Sequence, residues 1–256
     1  MEAVAELLPL VNAALWHGFT VFLRVATIVS MLPAFGEQSV PVRIKLGLAF
    51  AFTVIVAPAV PPIATATDVE GLAWIVLTEI VAGLVLGLGI RLFILALQTA
   101  GSIAAQSTSL SQILGGAAAD PLPALGYTLI IAALALAVIS GLHIKAAELV
   151  ILSYELLPMG RLPNGADVSA WGLARVSQAF ALAFTLAAPF VIVSVLYNLA
   201  LGAINKAMPQ LMVAFVGAPV ITFMGILLLF LAAPLMLSVW LAALDQFMAN
   251  PFAVHP

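Results

Sequence analysis

Apolar residues run through this chain in six long blocks, at about 7–32, 44–60, 72–100, 125–152, 176–204 and 211–244, separated by short polar links. Within the blocks the apolar residues are continuous rather than alternating, which predicts helices and argues against a β-barrel. All but the second are near or above the roughly 20 residues a membrane-spanning helix needs. The second is short and closed by Pro61-Pro62; the first is closed by Pro33. Prolines end helices because they lack an N–H and clash with the preceding turn. The links at 33–41, 61–71, 101–123 and 158–172 are rich in Pro, Gly, Ser and Thr. None is long enough to join two independent domains. The pattern predicts one all-α integral membrane domain of about six long helical segments with hairpins and kinks.

Composition sharpens this picture. Of 256 residues, 64% are hydrophobic and 7% charged, with mean hydropathy +1.25. A soluble domain carries roughly 25% charged residues, so the chain lacks the polar surface to stand alone in water. Its net charge of −3 is scattered, which excludes a basic nucleic-acid surface. There is no cysteine, hence no disulfide, thiolate metal site or cysteine nucleophile. Glu2 and Glu6 precede the first block where a cleavable signal would be basic, so residues from Leu7 onward read as a retained helix. Arg43, Lys45 and Lys206 lie in odd-numbered links, Arg161 and Arg175 in or near the fourth. The bias places both termini outside and the last link on the cytoplasmic side.

Charge inside the apolar blocks is the next signal. Arg24, Glu79, Arg91, Lys145 and Glu148 must face other helices, water or each other, because an unpaired charge in lipid costs several kcal/mol. Lys145 and Glu148, three apart, form a natural pair on one helical face; Arg91 and Gln98, seven apart, also share a face. Such residues serve either a proton relay or packing between helices. With no series of acids at helical spacing, packing is favoured. His17, His143 and His255 have no carboxylates at ligand spacing, and no G-x-S-x-G elbow is present. Gly83 and Gly87 make a GxxxG spacing, whose default meaning is close helix approach. Pro189, Pro219 and Pro234 all fall in the last third, so the matched interrupted helices of a carrier are missing. The link at 101–123, with its serines, Gln106, Gln112 and Gly115-Gly116, suits irregular backbone inside protein or along a water-filled cavity, or else an exposed loop.

The most specific stretch is Asn198 to Pro219, an apolar run broken by Asn205-Lys206-Ala207-Met208-Pro209-Gln210 and resumed at once. It reads as a helical hairpin with a polar tip. The segment from Asn198-Leu199-Ala200-Leu201-Gly202 to Pro209-Gln210-Leu211 resembles the signature of the FliR family of type III export-gate subunits. A second match is Phe22-Leu23-Arg24-Val25, then Leu32-Pro33-Ala34-Phe35-Gly36, then Val40-Pro41-Val42-Arg43-Ile44-Lys45. A third is Asp120-Pro121, followed by Gly141-Leu142-His143 and Leu156-Leu157-Pro158. Length, helix number and motif order agree from end to end.

The resemblance implies a subunit without catalysis or cofactor, in the bacterial inner membrane at the flagellar basal body. It implies FliP-like and FliQ-like neighbours, FlhB-like and FlhA-like export components, and unfolded flagellar proteins as cargo. It assigns about 1–172 to a FliP-like part and about 173–256 to a FliQ-like hairpin. The family's pore plug falls on Gln106, Leu110, Ile113, Leu114, Gly115, Gly116, Asp120 and Pro121. There this chain carries aliphatic residues where the family shows aromatic ones. Partner contacts fall on Asn205, Lys206, Pro209 and Gln210. The alternatives are the virulence-secretion counterpart, SctT, and, in another class, a proton-coupled small-molecule transporter using Arg24, Glu79 or Arg91.

Overall fold

A computed structural model describes residues 2–62, 69–109, 124–208 and 213–253. Its described residues are helical almost throughout: α1 (Glu2–Met31), α2 (Val42–Val56) with a 3-10 turn (Ala57–Ala59), α3 (Val69–Ser109), α4 (Ala124–Ile139), α5 (Leu142–Leu156), α6 (Gly165–Ala207) and α7 (Val213–Ala249). Among the described residues, five helices are long and apolar enough to cross a membrane, or six if α4 and α5 count as one bent span.

Local chemistry sets most ends. After α1 the chain turns through Pro33, and the Gly36 N–H bonds the Leu32 carbonyl at 2.7 Å. A Cβ on Gly36 would lie 2.3 Å from the Ser30 oxygen, so this turn requires glycine. Pro41 stands at the N-cap of α2, and Pro58 sits in the 3-10 turn that closes it. Asn164 caps α6, its Oδ1 accepting from the Ala166 N–H at 3.0 Å.

Three boundaries differ from those the sequence suggests. The fourth apolar block is two helices bent by 73°. Gly141 breaks it, holding φ +84 in the left-handed region that glycine enters without steric cost. The link at 101–123 begins as helix, since α3 runs on to Ser109. The loop at 158–172 ends at Asn164 instead, because α6 starts at its cap. In α3 these small residues pack against a neighbour, as Gly101 does against Gly126, whereas the first turns of α6 are largely exposed and start at the Asn164 cap.

The chain forms two compact units that do not follow chain order. Met1–Arg91, Ala137–Ala174 and Leu244–Pro256 make one; Leu92–Leu136 and Arg175–Ala243 make the other. In the first, α1 buries Val21, Val25 and Ile28 at helical spacing, followed by Leu32 just past its end, with Leu86 and Ile90 of α3 and Leu142 and Leu149 of α5. Phe22 stacks on Phe50 of α2 with ring centroids 4.6 Å apart. Gly83 and Gly87 lie against α1: a Cβ on Gly83 would sit 2.8 Å from the Thr27 Cβ, and one on Gly87 3.0 Å from the Met31 Cβ. The GxxxG spacing is therefore a packing site. In the second unit, Ile94 and Leu97 of α3, Leu129 of α4, Ala183, Leu186 and Phe190 of α6, and Trp240 of α7 are buried. The Trp240 indole N–H donates to the Phe93 carbonyl at 2.9 Å. Here α3 and α4 approach so closely that a Cβ on Gly101 would meet the Gly126 Cα at 2.3 Å.

Candidate functional site

The most constrained polar group in the first unit is Arg24. It lies on the core face of α1 between Val21 and Val25, and its side chain is 1% exposed. Glu79, on α3, is fully buried opposite. Arg24 Nε donates to Glu79 Oε2 at 2.9 Å and Nη2 to Oε1 at 3.1 Å, the two-pronged geometry that guanidinium and carboxylate favour. Nη1 reaches the C-terminal end of α5, donating to the Ser153 carbonyl at 3.1 Å, Ser153 Oγ at 3.2 Å and the Leu157 carbonyl at 2.9 Å. Both carbonyls lie at the negative end of the helix dipole, and the Ser153 carbonyl also accepts the Leu157 N–H at 2.8 Å. The guanidinium also lies 3.9 Å from the centre of the Tyr154 ring. Glu79 Oε1 additionally accepts the Gly160 N–H at 3.3 Å. Arg24 thus joins α1, α3, α5 and the turn after α5, with Nε, Nη1 and Nη2 all engaged. A water-excluded knot of this kind holds helices together; beside it the Tyr154 hydroxyl is buried and finds no hydrogen-bond partner among the described residues.

Two further ion pairs stand nearer the surface. Arg91 Nη1 donates to Glu37 Oε1 at 2.7 Å. Lys45 Nζ donates to the Gly36 carbonyl at 2.9 Å, so α3 and α2 both fasten the link after α1. Gln98, at an exposed position on α3, is not the residue that neutralises Arg91. Lys145 pairs with Asp245 of α7 at 2.7 Å rather than with Glu148. Sequence spacing put the two α5 residues on one face, but a carboxylate brought in from 100 positions away has taken the ammonium. Glu148 is exposed.

Asn205 and Lys206 occupy the last turn of α6 and are exposed, while Pro209 and Gln210 lie outside the described residues. Deeper in this hairpin is a polar node that sequence reading missed. Ser194 Oγ donates to the Ser107 carbonyl of α3 at 2.5 Å. Asn198 Nδ2 donates to the Ser194 carbonyl at 2.8 Å and to Ser194 Oγ at 3.2 Å. Tyr197 OH donates to the Gly217 carbonyl of α7 at 2.6 Å. The first residue of the signature, Asn198, therefore braces a serine that fastens the end of α3, and its neighbour fastens α7. The available signal was Ser194 one helical turn before Asn198, in a run otherwise without polar residues except Tyr197.

Of the plug candidates, Gln106 lies on the last turn of α3 and is exposed. Leu110, Ile113, Leu114, Gly115, Gly116, Asp120 and Pro121 lie outside the described residues. His17 bonds the Ala57 carbonyl through Nε2 at 2.9 Å. Among the described residues, no group of three or more His, Cys, Asp or Glu is placed to hold a metal ion.

The sequence profile of the bacterial export proteins, family 1, matches residues 15–247 of this chain. The flagellar biosynthetic protein FliR of Caulobacter vibrioides is 33% identical over 233 residues, covering 86% of this chain and 89% of that protein. The protein of the same name from Escherichia coli is 30% identical over 223 residues, covering 85% and 84%. That of Bacillus subtilis is 28% identical over 204 residues, covering 78% and 79%.

Proposed function

We propose that this chain, which belongs to the FliR family of bacterial export proteins, is a non-enzymatic core subunit of the flagellar type III export gate. The observation that carries this reading is the match over residues 15–247, with relatives named for flagellar biosynthesis along most of their own length. Those names favour the flagellar over the virulence system. The gate sits in the bacterial inner membrane, with FliP-like and FliQ-like subunits as direct neighbours and FlhB-like and FlhA-like components joining them. Unfolded flagellar proteins pass through. The segment from Gln106 to Pro121 plugs the channel, and Asn205, Lys206, Pro209 and Gln210 meet partners at the hairpin tip. The FliP-like part is about 1–172 and the FliQ-like hairpin about 173–256.

Two features of the chain support assembly rather than solitary life in lipid. Exposed apolar residues on α6 run from Val176 to Ile204. At about 1.5 Å per residue this is about 42 Å of helix. A hydrocarbon core of about 30 Å would cover it only at a tilt of about 45°, beyond the usual 0–40°. Protein must cover part of that surface. The charged groups a carrier would use are also committed elsewhere: Arg24 and Glu79 to each other, Arg91 to Glu37.

The test is genetic and biochemical together. Removing the gene should abolish secretion of flagellar proteins, and a tagged copy should restore it and bring down FliP-like and FliQ-like subunits. A chain that restores secretion yet purifies as a substrate-binding monomer would overturn the gate reading.

A further inference from the structure

The first unit contains a cleft of about 430 Å³ lined by Lys145, Glu148 and Leu152 of α5 and Asp245, Met248 and Ala249 of α7. Its charges do not balance. Lys145 is committed to Asp245 at 2.7 Å rather than to Glu148. One ammonium faces two carboxylates, an excess of one negative charge, in a chain where only 7% of residues are charged. The other walls, Leu152, Met248 and Ala249, are apolar.

We infer that this cleft receives a lysine or arginine side chain from a neighbouring subunit, with its charged head on Glu148 and its aliphatic stem along Leu152 and Met248. The inference rests on the assembly proposed above and names one of its contacts. Long basic side chains suit such a site because their methylene stems bury against apolar walls while the head stays with charge and water. A pair held partly out of water against apolar walls is less screened than one on an open surface. Other cations fit less well. A lipid amine arrives with a phosphate, which the excess negative charge repels. A metal ion would find two carboxylates and the Lys145 ammonium between them. A basic side chain needs one free carboxylate and an apolar wall, and the cleft offers both.

The experiment uses the intact assembly recovered on a tagged chain. Glu148→Lys should reduce the recovered partner subunits about tenfold and Glu148→Gln by a smaller factor, as expected for losing or reversing one desolvated charge at an interface. Glu155→Lys, on the same helix but outside the cleft, should leave recovery unchanged. A photo-crosslinking amino acid in place of Leu152 should capture a partner peptide containing a lysine or arginine. Changing that residue to glutamate should restore assembly to the Glu148→Lys chain. Wild-type recovery with both Glu148 variants overturns the inference, as does an equal loss with Glu155→Lys, a crosslink to phospholipid alone, or a charge swap that restores nothing. If the wild-type chain brings down no partner subunits, it is the gate reading that fails instead.

Discussion

Arg24 and Glu79 show what a single residue decides here. Each alone would be a charge stranded among apolar helices; together with the Ser153 and Leu157 carbonyls they leave almost nothing unpaired. Removing one partner strands the other, which for buried pairs costs about 3–5 kcal/mol. Glu79→Leu and Arg24→Met should each lower the thermal unfolding temperature of the purified chain and its yield in the assembly. Replacing both should cost clearly less than the two single changes summed, because no lone charge then remains. Additive losses would show that the pair is not coupled. Sequence marked both residues as costly, since each is an ion in an apolar block. It could not say that they meet, because 55 positions separate them. The opposite case is Lys145, whose obvious neighbour Glu148 lost to a carboxylate that only folding supplies.

At the level of elements, small residues set how closely helices approach. Gly83 and Gly87 open a flat strip on α3 into which Thr27 and Met31 of α1 fit. Replacing both with leucine should prevent that approach and cut the yield of folded chain and assembly severalfold, as overpacking a tight crossing costs typically 1–3 kcal/mol per site. Normal yield, measured by size-exclusion chromatography of the purified protein, would make the spacing incidental. The bend between α4 and α5 has a similar local origin. A Cβ at Gly141 would be strained at φ +84, so Gly141→Ala should destabilise by about 1–2 kcal/mol, read from thermal unfolding. Serine, threonine and asparagine within these helices mostly turn their side chains back onto helix carbonyls, as Thr27 does on Leu23 and Thr53 on Ala49. That habit satisfies hydroxyls inside apolar helices, as Ser107 does on Ala104 within Gly101–Ser109.

At the level of the whole molecule, the chain keeps its polar groups in a few knots and leaves long apolar helix faces exposed. Only 28% of the best spanning window of α6 and 17% of that of α7 is buried within the chain, against 56% of α3. In the assembly proposed above, lipid and partner subunits would divide the covering of these exposed faces between them. Channel sealing belongs to this scale as well. Deleting Leu110 to Gly116 should leave the gate assembled but leaky to small solutes, measured by dye or ion flux into vesicles carrying it. Unchanged permeability would refute the plug assignment.

Sequence alone determined the class and the family. Continuous apolar blocks and scarce charge allow only membrane helices or helices buried in an assembly, and the Asn198–Leu211 signature needs no coordinates to be read. Helix existence was legible for the same reason: periodic burial and proline breaks are local. Partnerships were not. Arg24 with Glu79, Lys145 with Asp245, and Ser194 with the end of α3 join residues 55, 100 and 87 positions apart. Such pairings depend on which helices cross and at what register, and helical spacing carries no record of that. The tertiary structure also decided what the local Asn198–Ser194 contact supports, since Ser194 is fastened to the end of α3. A half-buried amide on an apolar helix finds its hydrogen bonds within the protein.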